Sequence, residues 1–213
     1  MKRITSLLAI VLCFSLFGCS SPSAEAPIFQ VTPTELFAGE ESKYKPFIPN
    51  AGGVKVTYRG EKESVRLLAE VWENGQLSYV HPQMGGFLTQ ANEDGTREWN
   101  GEVIISLDLT TNEEGNSRVA VRYFLFDDNG YVGFADTFDA DRLLAGYSPI
   151  PLHEEQEVSP EEGEVAIWGF QGTDQRMLHA ADFSTEQLER TDWAVVFKLA
   201  ATEAEDESSG SAS

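Results

Sequence analysis

The sequence predicts an all-β protein, an antiparallel β-sandwich with short connecting helices. Apolar and polar residues alternate with period two along several segments, which is the pattern of strands that have one buried face and one wet face. The pairs Asn74-Gly75 and Asn129-Gly130 follow two of these segments, and both residue types tolerate the positive φ angles of tight hairpins. Short strands joined by such turns are typical of a sandwich or a barrel, and we favour the sandwich.

Five segments carry the alternating pattern and define the predicted core. They cover residues 65–71, 103–109, 119–125, 165–167 and 193–199. Each Asn-Gly pair is followed by another short apolar segment, over residues 77–80 and 131–135, so each pair predicts a hairpin. Asp94-Gly95 and Glu114-Gly115 predict two further turns.

The remaining segments predict connections between strands. Residues 28–49 are rich in proline and are expected to run extended along a sheet edge, where the missing N–H of proline is tolerated. Residues 139–145 and 184–190 predict short helices, the second with Ser184 and Gln187 as a capping box. The glutamate-rich segment 154–164 predicts a flexible loop.

The first 18 residues predict a secretory signal peptide. Lys2 and Arg3 precede an apolar run of about 14 residues, whereas a helix needs roughly 20 residues to cross a bilayer. A positive start followed by a short apolar run is typical of an export signal that is later removed. The run ends at Cys19, in Leu16-Phe17-Gly18-Cys19.

These four residues resemble the lipobox of bacterial lipoproteins. The resemblance implies that Cys19 is acylated and becomes the first residue of the mature chain, with the protein held on the extracytoplasmic face of the cell membrane. Each buried methylene contributes about 0.8 kcal/mol, and two acyl chains suffice for stable anchoring. The alternative is an ordinary signal peptide that leaves Cys19 as a free thiol.

This interpretation divides the chain into four parts. Residues 1–18 are the predicted signal peptide, 19–27 a flexible tether, 28–201 the β-sandwich domain and 202–213 a disordered acidic tail with little to bury. Cys13 leaves with the signal peptide and Cys19 is acylated, so the domain has no thiol for a disulfide or a metal. The domain must therefore depend on its apolar core.

The net charge argues against a nucleic-acid partner. The full chain carries −20 at pH 7, and removing Lys2 and Arg3 with the signal peptide brings the charge to −22. A field of this sign repels phosphate backbones and anionic lipid head groups. The expected partners are the membrane, through the lipid anchor, and a protein or polysaccharide.

The sequence contains no recognisable catalytic constellation, so no catalytic residue and no cofactor is predicted. It lacks a G-x-S-x-G elbow, a dinucleotide fingerprint and a phosphate loop. His81, His153 and His179 do not have the spacing of zinc ligands.

One acidic cluster offers oxygen ligands of the kind that calcium takes. The candidate metal ligands are Asp127, Asp128, Asp136, Asp139 and Asp141. Their spacing does not follow the EF-hand pattern, and in a chain this acidic the alternative is a set of solvated turns.

Aromatic residues suggest a second kind of site. Trp72 and Trp168 stand opposite the main apolar positions of their strands, so they either face outward as ligand-binding platforms or fill a second, smaller core. Tyr79, Trp99 and Tyr131 could present similar flat faces.

Two functions from different classes follow. The first is a non-enzymatic, lipid-anchored binding module at the cell envelope, which requires a contiguous exposed aromatic or apolar patch. The second is a carboxylate-based hydrolase, assisted by calcium, that acts on envelope or extracellular polymers. The hydrolase requires two carboxylates that converge in one cleft.

Overall fold

A computed structural model describes residues 26–48, 50–161, 163–175, 178 and 181–203. The predicted signal peptide, Cys19, His179 and residues 204–213 of the predicted tail lie outside these ranges. The strands are β1 Ile28–Thr34, β2 Ala51–Gly60, β3 Ser64–Glu73, β4 Gln76–Leu88, β5 Gln90–Ala91, β6 Arg97–Thr111, β7 Ser117–Asp127, β8 Gly130–Asp139, β9 Gly146–Pro151, β10 Gln156–Val158, β11 Glu164–Thr173 and β12 Trp193–Thr202.

The strands form two antiparallel sheets that pack face to face. The first sheet has the order β10-β1-β2-β6-β7-β8, with the short β5 also paired to β6, and the second has the order β4-β3-β12-β11-β9. Edge strands β8 and β4 come from different sheets and contact each other. The predicted antiparallel β-sandwich is confirmed.

The alternating segments supply the core as predicted. Inward-facing residues of β3, β6, β7, β11 and β12 belong to one hydrophobic cluster between the sheets. Phe197 lies within it and is fully buried, with its ring centroid 6.1 Å from that of Trp168 and 6.2 Å from that of Phe138. The residues that the alternating pattern assigns to the buried face are therefore the ones that lie between the two packed sheets.

The first predicted hairpin is confirmed, and the second turn is shifted by one residue. Asn74 and Gly75 have φ angles of 52° and 73° and join β3 to β4. In the second hairpin Asp127 pairs with Gly130, so Asp128 and Asn129 form the loop and only the glycine has a positive φ, 141°. The Asp127 carboxylate accepts a hydrogen bond from the Asn129 backbone N–H at 2.7 Å, and this bond stabilises the observed turn.

The proline-rich segment does not run along a sheet edge. β1 lies between β10 and β2, and a 3₁₀ helix, Gly39–Phe47, follows it. Strand β10 pairs only with residues Phe29 to Val31, so Pro33 lies past its end and needs no N–H on that side. The predicted loop 154–164 supplies β10, which the sequence did not indicate.

The two predicted connecting helices have different outcomes. The second is confirmed in shorter form as helix α1, Thr185–Leu188, and the Ser184 side chain accepts a hydrogen bond from the backbone N–H of Gln187. The predicted capping box is only half formed, because the Ser184 N–H donates to the Asp182 carboxylate at 2.8 Å. Residues 139–145 are not helical. Their backbone is hydrogen-bonded to Ser117 instead, which contacts Ala140, Arg142 and Leu144. No helix in the described part of the chain is both long enough and apolar enough to cross a membrane.

Candidate functional site

Trp72 lies in a second, smaller core and not on the surface. Helix α1 covers it, and it clusters with Ile150, Leu188, Ala194 and Val196. Its indole N–H donates to the Glu70 carboxylate at 3.3 Å. The minor-core alternative thus describes Trp72, and its ring faces are not presented to solvent as a ligand platform would require.

Trp168 is buried in the main core because of a β-bulge. The pairing of β11 with β12 shifts between Ala166 and Trp168, so Ile167 and Trp168 both belong to the main cluster. A Cβ atom at Gly52 would lie 2.1 Å from the Trp168 indole, so the ring occupies the space that this glycine leaves open. The alternating pattern predicts that Trp168 lies on the opposite face of the strand. That prediction is wrong because a β-bulge cannot be recognised from the alternation of the sequence.

The candidate metal ligands are distributed along β8 and its flanking turns. Asp127 and Asp128 lie at one end of the β7–β8 ladder and Asp139 at the other, about 30 Å away at 3.3 Å per residue. In the described part of the chain, no three histidine, cysteine, aspartate or glutamate side chains are grouped so that they could hold a metal ion. The calcium site stays a prediction without structural support.

Three of these carboxylates contact cationic or titratable side chains. Asp139 accepts hydrogen bonds from Arg118 at 2.7 and 3.2 Å, and these bonds hold the pKa of its carboxyl below the usual value. Asp141 lies 3.3 Å from Arg142. Asp136 lies 3.2 Å from Nε2 of His81. Asp136, Asp139 and Asp141 are therefore engaged separately, whereas Asp127 and Asp128 line one small cavity at the hairpin tip.

His81 and Asp136 link the two edge strands β4 and β8. The imidazole packs edge-on against Phe138, with ring centroids 6.3 Å apart. Its Nδ1 atom is buried and has no hydrogen-bond partner among the described residues. A catalytic triad would place a hydroxyl or thiol on that nitrogen, and no described residue does so.

Three aromatic rings cover the outer face of the β7–β8 hairpin, and we call Phe124, Phe126 and Tyr131 the hairpin aromatic surface. Phe126 pairs across the ladder with Tyr131, and their ring centroids are 5.5 Å apart. Phe124 lies 6.2 Å from each of the other two. Tyr131 is 71% exposed, whereas the phenylalanines are partly buried. The rings together form one continuous apolar surface that faces solvent.

The hairpin aromatic surface adjoins a cavity of about 250 Å³ at the same end of the sandwich. Its buried lining includes Trp99 and Leu125, and its exposed lining includes Asp127, Asn129 and Tyr131. A second cavity of about 110 Å³ shares Trp99, Asp127 and Asn129 and adds Gln90, Glu98, Asn100 and Asp128. Apolar walls with a few polar groups are typical of small-molecule sites.

Trp99 is the buried residue common to both cavities. It is 4% exposed, and its ring stacks on Phe87 with an interplanar angle of 15°. The ring lies along its own strand over Gly101, where a Cβ atom would be 2.2 Å from it. Its indole N–H is buried and has no hydrogen-bond partner among the described residues. Buried polar groups in proteins are nearly always satisfied, so this one calls for an explanation.

Tyr123 connects the two sheets next to the candidate site. Burial raises the pKa of its hydroxyl to about 12. It donates a hydrogen bond to the backbone oxygen of Met84 on β4. Its ring also stacks on Phe134 of β8, with centroids 5.2 Å apart. These contacts fix β8, and with it the hairpin, relative to the second sheet.

No protein-family model, curated protein or solved structure matches the chain. The arrangement at the hairpin combines an exposed aromatic face, a cavity and a polar rim.

The sequence pattern indicated Tyr131 and Trp99 as aromatic candidates but did not indicate Phe124 and Phe126, which lie in the continuous apolar run Tyr123-Phe124-Leu125-Phe126. Because the odd-numbered residues of β7 belong to the core, the even-numbered residues must point outward. This alternation could have identified Phe124 and Phe126 as surface residues.

Proposed function

We propose that the chain is a lipid-anchored binding module on the extracytoplasmic face of the cell membrane, and that it contacts its partner through the hairpin aromatic surface. The observation that supports this is the exposure of Tyr131 beside Phe124 and Phe126. Exposed apolar area costs about 25 cal/mol per Å² relative to burial. Clustered exposed rings are typical of interaction sites, since binding recovers that free energy.

In this proposal the acylated Cys19 keeps the domain close to the bilayer. Eight residues separate Cys19 from Ile28, where β1 begins, and such a segment spans at most about 30 Å. Phe29 of β1 pairs with Tyr58, which pairs with Trp99, so the chain enters the sandwich at the end that carries the cavities. The hairpin site therefore lies on the side of the anchor.

The anchor is tested by replacing its thiol. We expect the wild-type chain to fractionate with membranes and Cys19→Ser to be found in the soluble fraction, because the serine variant has no sulfur to acylate. Mass spectrometry of the N-terminal peptide should find acyl groups on Cys19 in the wild type alone. A wild-type chain that is exported with an unmodified thiol would contradict the proposal.

The binding surface is tested with the soluble full-chain variant Cys19→Ser and isolated cell-envelope fragments. We expect Tyr131→Ala to weaken co-sedimentation about 10-fold, because truncating a central aromatic anchor removes a large share of binding energy. Tyr147→Ala is the matched control, since Tyr147 is another exposed tyrosine, on edge strand β9 of the other sheet. Equal binding by both variants would exclude the hairpin aromatic surface as the contact.

A further inference from the structure

We infer that the free edge of strand β8 binds an extended, positively charged segment of a protein, which pairs with β8 as an additional strand; this rests on the proposed binding function. β8 is the last strand of the first sheet, and among the described strands it pairs with β7 alone. A sheet edge of this kind presents unpaired backbone N–H and C=O groups to another chain.

The register of the β7–β8 hairpin decides which backbone groups of β8 are unpaired. Asp127 and Gly130 close a two-residue loop, so they form a hydrogen-bonded pair, and such pairs alternate along an antiparallel ladder. Even-numbered residues of β8 therefore bond to β7, whereas the N–H and C=O groups of odd-numbered residues point away from it. The N–H of Ala140, which donates to the Ser117 oxygen, and that of Thr137, which donates to its neighbour's carboxylate, fit this assignment.

The unpaired stretch of the edge covers Tyr131, Gly133 and Ala135. All three are exposed, and their outward backbone groups have no hydrogen-bond partner among the described residues. Beyond them the edge is closed, because the Asp136 carboxylate accepts a hydrogen bond from the Thr137 N–H at 2.7 Å. Unpaired N–H and C=O groups on alternate residues match the spacing of the backbone groups of one extended strand.

β8 differs from the other edge strands because its open stretch carries nothing that blocks pairing. β9 is six residues long and contains Pro149 and Pro151, and β10 has only three residues. β4 contains Pro82 and has two register irregularities against β3. β8 has ten residues, no proline and an uninterrupted register, and its first charged residue is Asp136. Short strands, prolines and bulges are the usual protection of a sheet edge, so the open part of β8 is available to an added strand.

An added strand would place alternate side chains next to the hairpin aromatic surface. Residues directly opposite each other in adjacent strands have their side chains on the same face. Side chains opposite Tyr131 and Gly133 would therefore lie on the outer face, where Gly133 leaves space and a Cβ atom would be 2.7 Å from the Phe124 ring. Apolar side chains at these positions would cover the exposed Tyr131 ring, so the partner segment is expected to alternate apolar and polar residues.

Charge selects a cationic segment. The hairpin, residues 117–139, contains four aspartates, two arginines and no lysine, and both arginines are engaged by aspartates. Asp127 and Asp128 are exposed at its tip, and the chain carries −20 overall. This field attracts a basic segment, and it repels an acidic segment or a second copy of the same chain.

The test uses the full chain with Cys19→Ser and two synthetic seven-residue peptides, one alternating lysine with valine and the other glutamate with valine. We expect fluorescence anisotropy of the labelled peptides at low salt to detect the lysine peptide, and the glutamate peptide to bind at least about 10-fold more weakly. N-methylation of two successive central residues blocks both edges of the lysine peptide and should abolish its binding. Binding of neither peptide, equal binding of both, or unchanged binding after methylation overturns the inference.

Ala135→Pro and Ala135→Ser form a matched pair at one position of the edge. Proline removes an unpaired N–H and is tolerated on an edge strand, whereas serine keeps the N–H. We expect Ala135→Pro to weaken binding of the lysine peptide about 10-fold and Ala135→Ser to bind it like the parent. Thermal melting checks that both variants fold, and equal peptide binding by two folded variants overturns the inference.

Amide hydrogen exchange measures the pairing in the Cys19→Ser chain without any change to β8. The lysine peptide should slow exchange at the N–H groups of Tyr131, Gly133 and Ala135, which are unpaired in the free chain. The N–H of Val132, which faces β7, should change little. Peptide binding without this alternating protection overturns the inference, whether or not Ala135→Pro folds.

The outcomes distinguish strand addition from the proposed function. Envelope binding that Tyr131→Ala weakens, without binding of the lysine peptide, would overturn strand addition and leave the binding module standing. Peptide binding that protects the β8 edge, with envelope binding unaffected by Tyr131→Ala, would support strand addition and overturn the envelope contact. A dimer of the peptide-free chain that Ala135→Pro dissociates would assign the edge to a second copy and overturn the inference.

Discussion

Replacing Phe197 with alanine should lower the free energy of unfolding by about 3–5 kcal/mol. Phe197 is fully buried on β12, the middle strand of the second sheet, between Trp168 and Phe138. The substitution loses the transfer free energy of the ring and leaves a cavity that these two rings can fill only in part. A domain of this kind is stable by about 5–15 kcal/mol, so the loss is a large share of the total.

Urea denaturation followed by tryptophan fluorescence measures this effect. Phe47→Ala is the matched control, because Phe47 is 83% exposed in the 3₁₀ helix and its removal should change stability by no more than about 0.5 kcal/mol. The denaturant dependence of the unfolding free energy should be the same in both variants and the parent. Similar small losses from both substitutions would contradict the assigned core.

Replacing Gly101 with alanine should destabilise the domain by about 1–3 kcal/mol. The new Cβ atom would lie 2.2 Å from the Trp99 ring and 2.2 Å from the backbone oxygen of Phe126. The ring is stacked on Phe87 and the oxygen belongs to the adjacent strand β7, so neither can move away without disturbing the ring stacking or the strand pairing.

Gly146→Ala controls for the general effect of glycine replacement. Gly146 is also in a strand, β9, and its added Cβ would meet its nearest neighbour, Cγ2 of Thr173, at 3.4 Å, an ordinary contact. There the loss of unfolded-state entropy should leave stability unchanged or raise it by about 0.4–1 kcal/mol. Thermal melting and near-ultraviolet circular dichroism of the tryptophans measure both variants. A Gly101→Ala variant as stable as Gly146→Ala would refute the packing of Trp99 on Gly101.

Much of the fold could be predicted because its rules are local. A half-buried strand must alternate, so residues such as Val121 and Val195 could be assigned to the core without knowledge of their partners. Asn74-Gly75 predicts a hairpin because the turn requires positive φ at both positions. Ser184 and Gln187 predict a helix start because the cap bond spans only three residues.

The errors came from contacts between residues far apart in sequence. Residues 139–145 were expected to be helical, but Ser117 takes their backbone hydrogen bonds. The turn predicted on Asn129-Gly130 moved by one residue, because the loop is set by the register of the whole β7–β8 ladder, which begins at the pairing of Arg118 with Asp139. The bulge at Trp168 exists only in its pairing with β12. A local pattern does not specify which partner a backbone group will find.

The sequence by itself determined the sheet-rich body, its core positions and its acidic charge, and it predicts an acylated Cys19, because each depends on neighbouring residues or on composition. Only the tertiary structure decided where the proposed binding surface lies. Trp72 and Trp168 are buried, whereas Phe124 and Phe126 lie with Tyr131 on the outer face of the β7–β8 hairpin. Strand pairing and sheet packing produce that distinction, since they decide which face of each strand is covered and which remains free to bind.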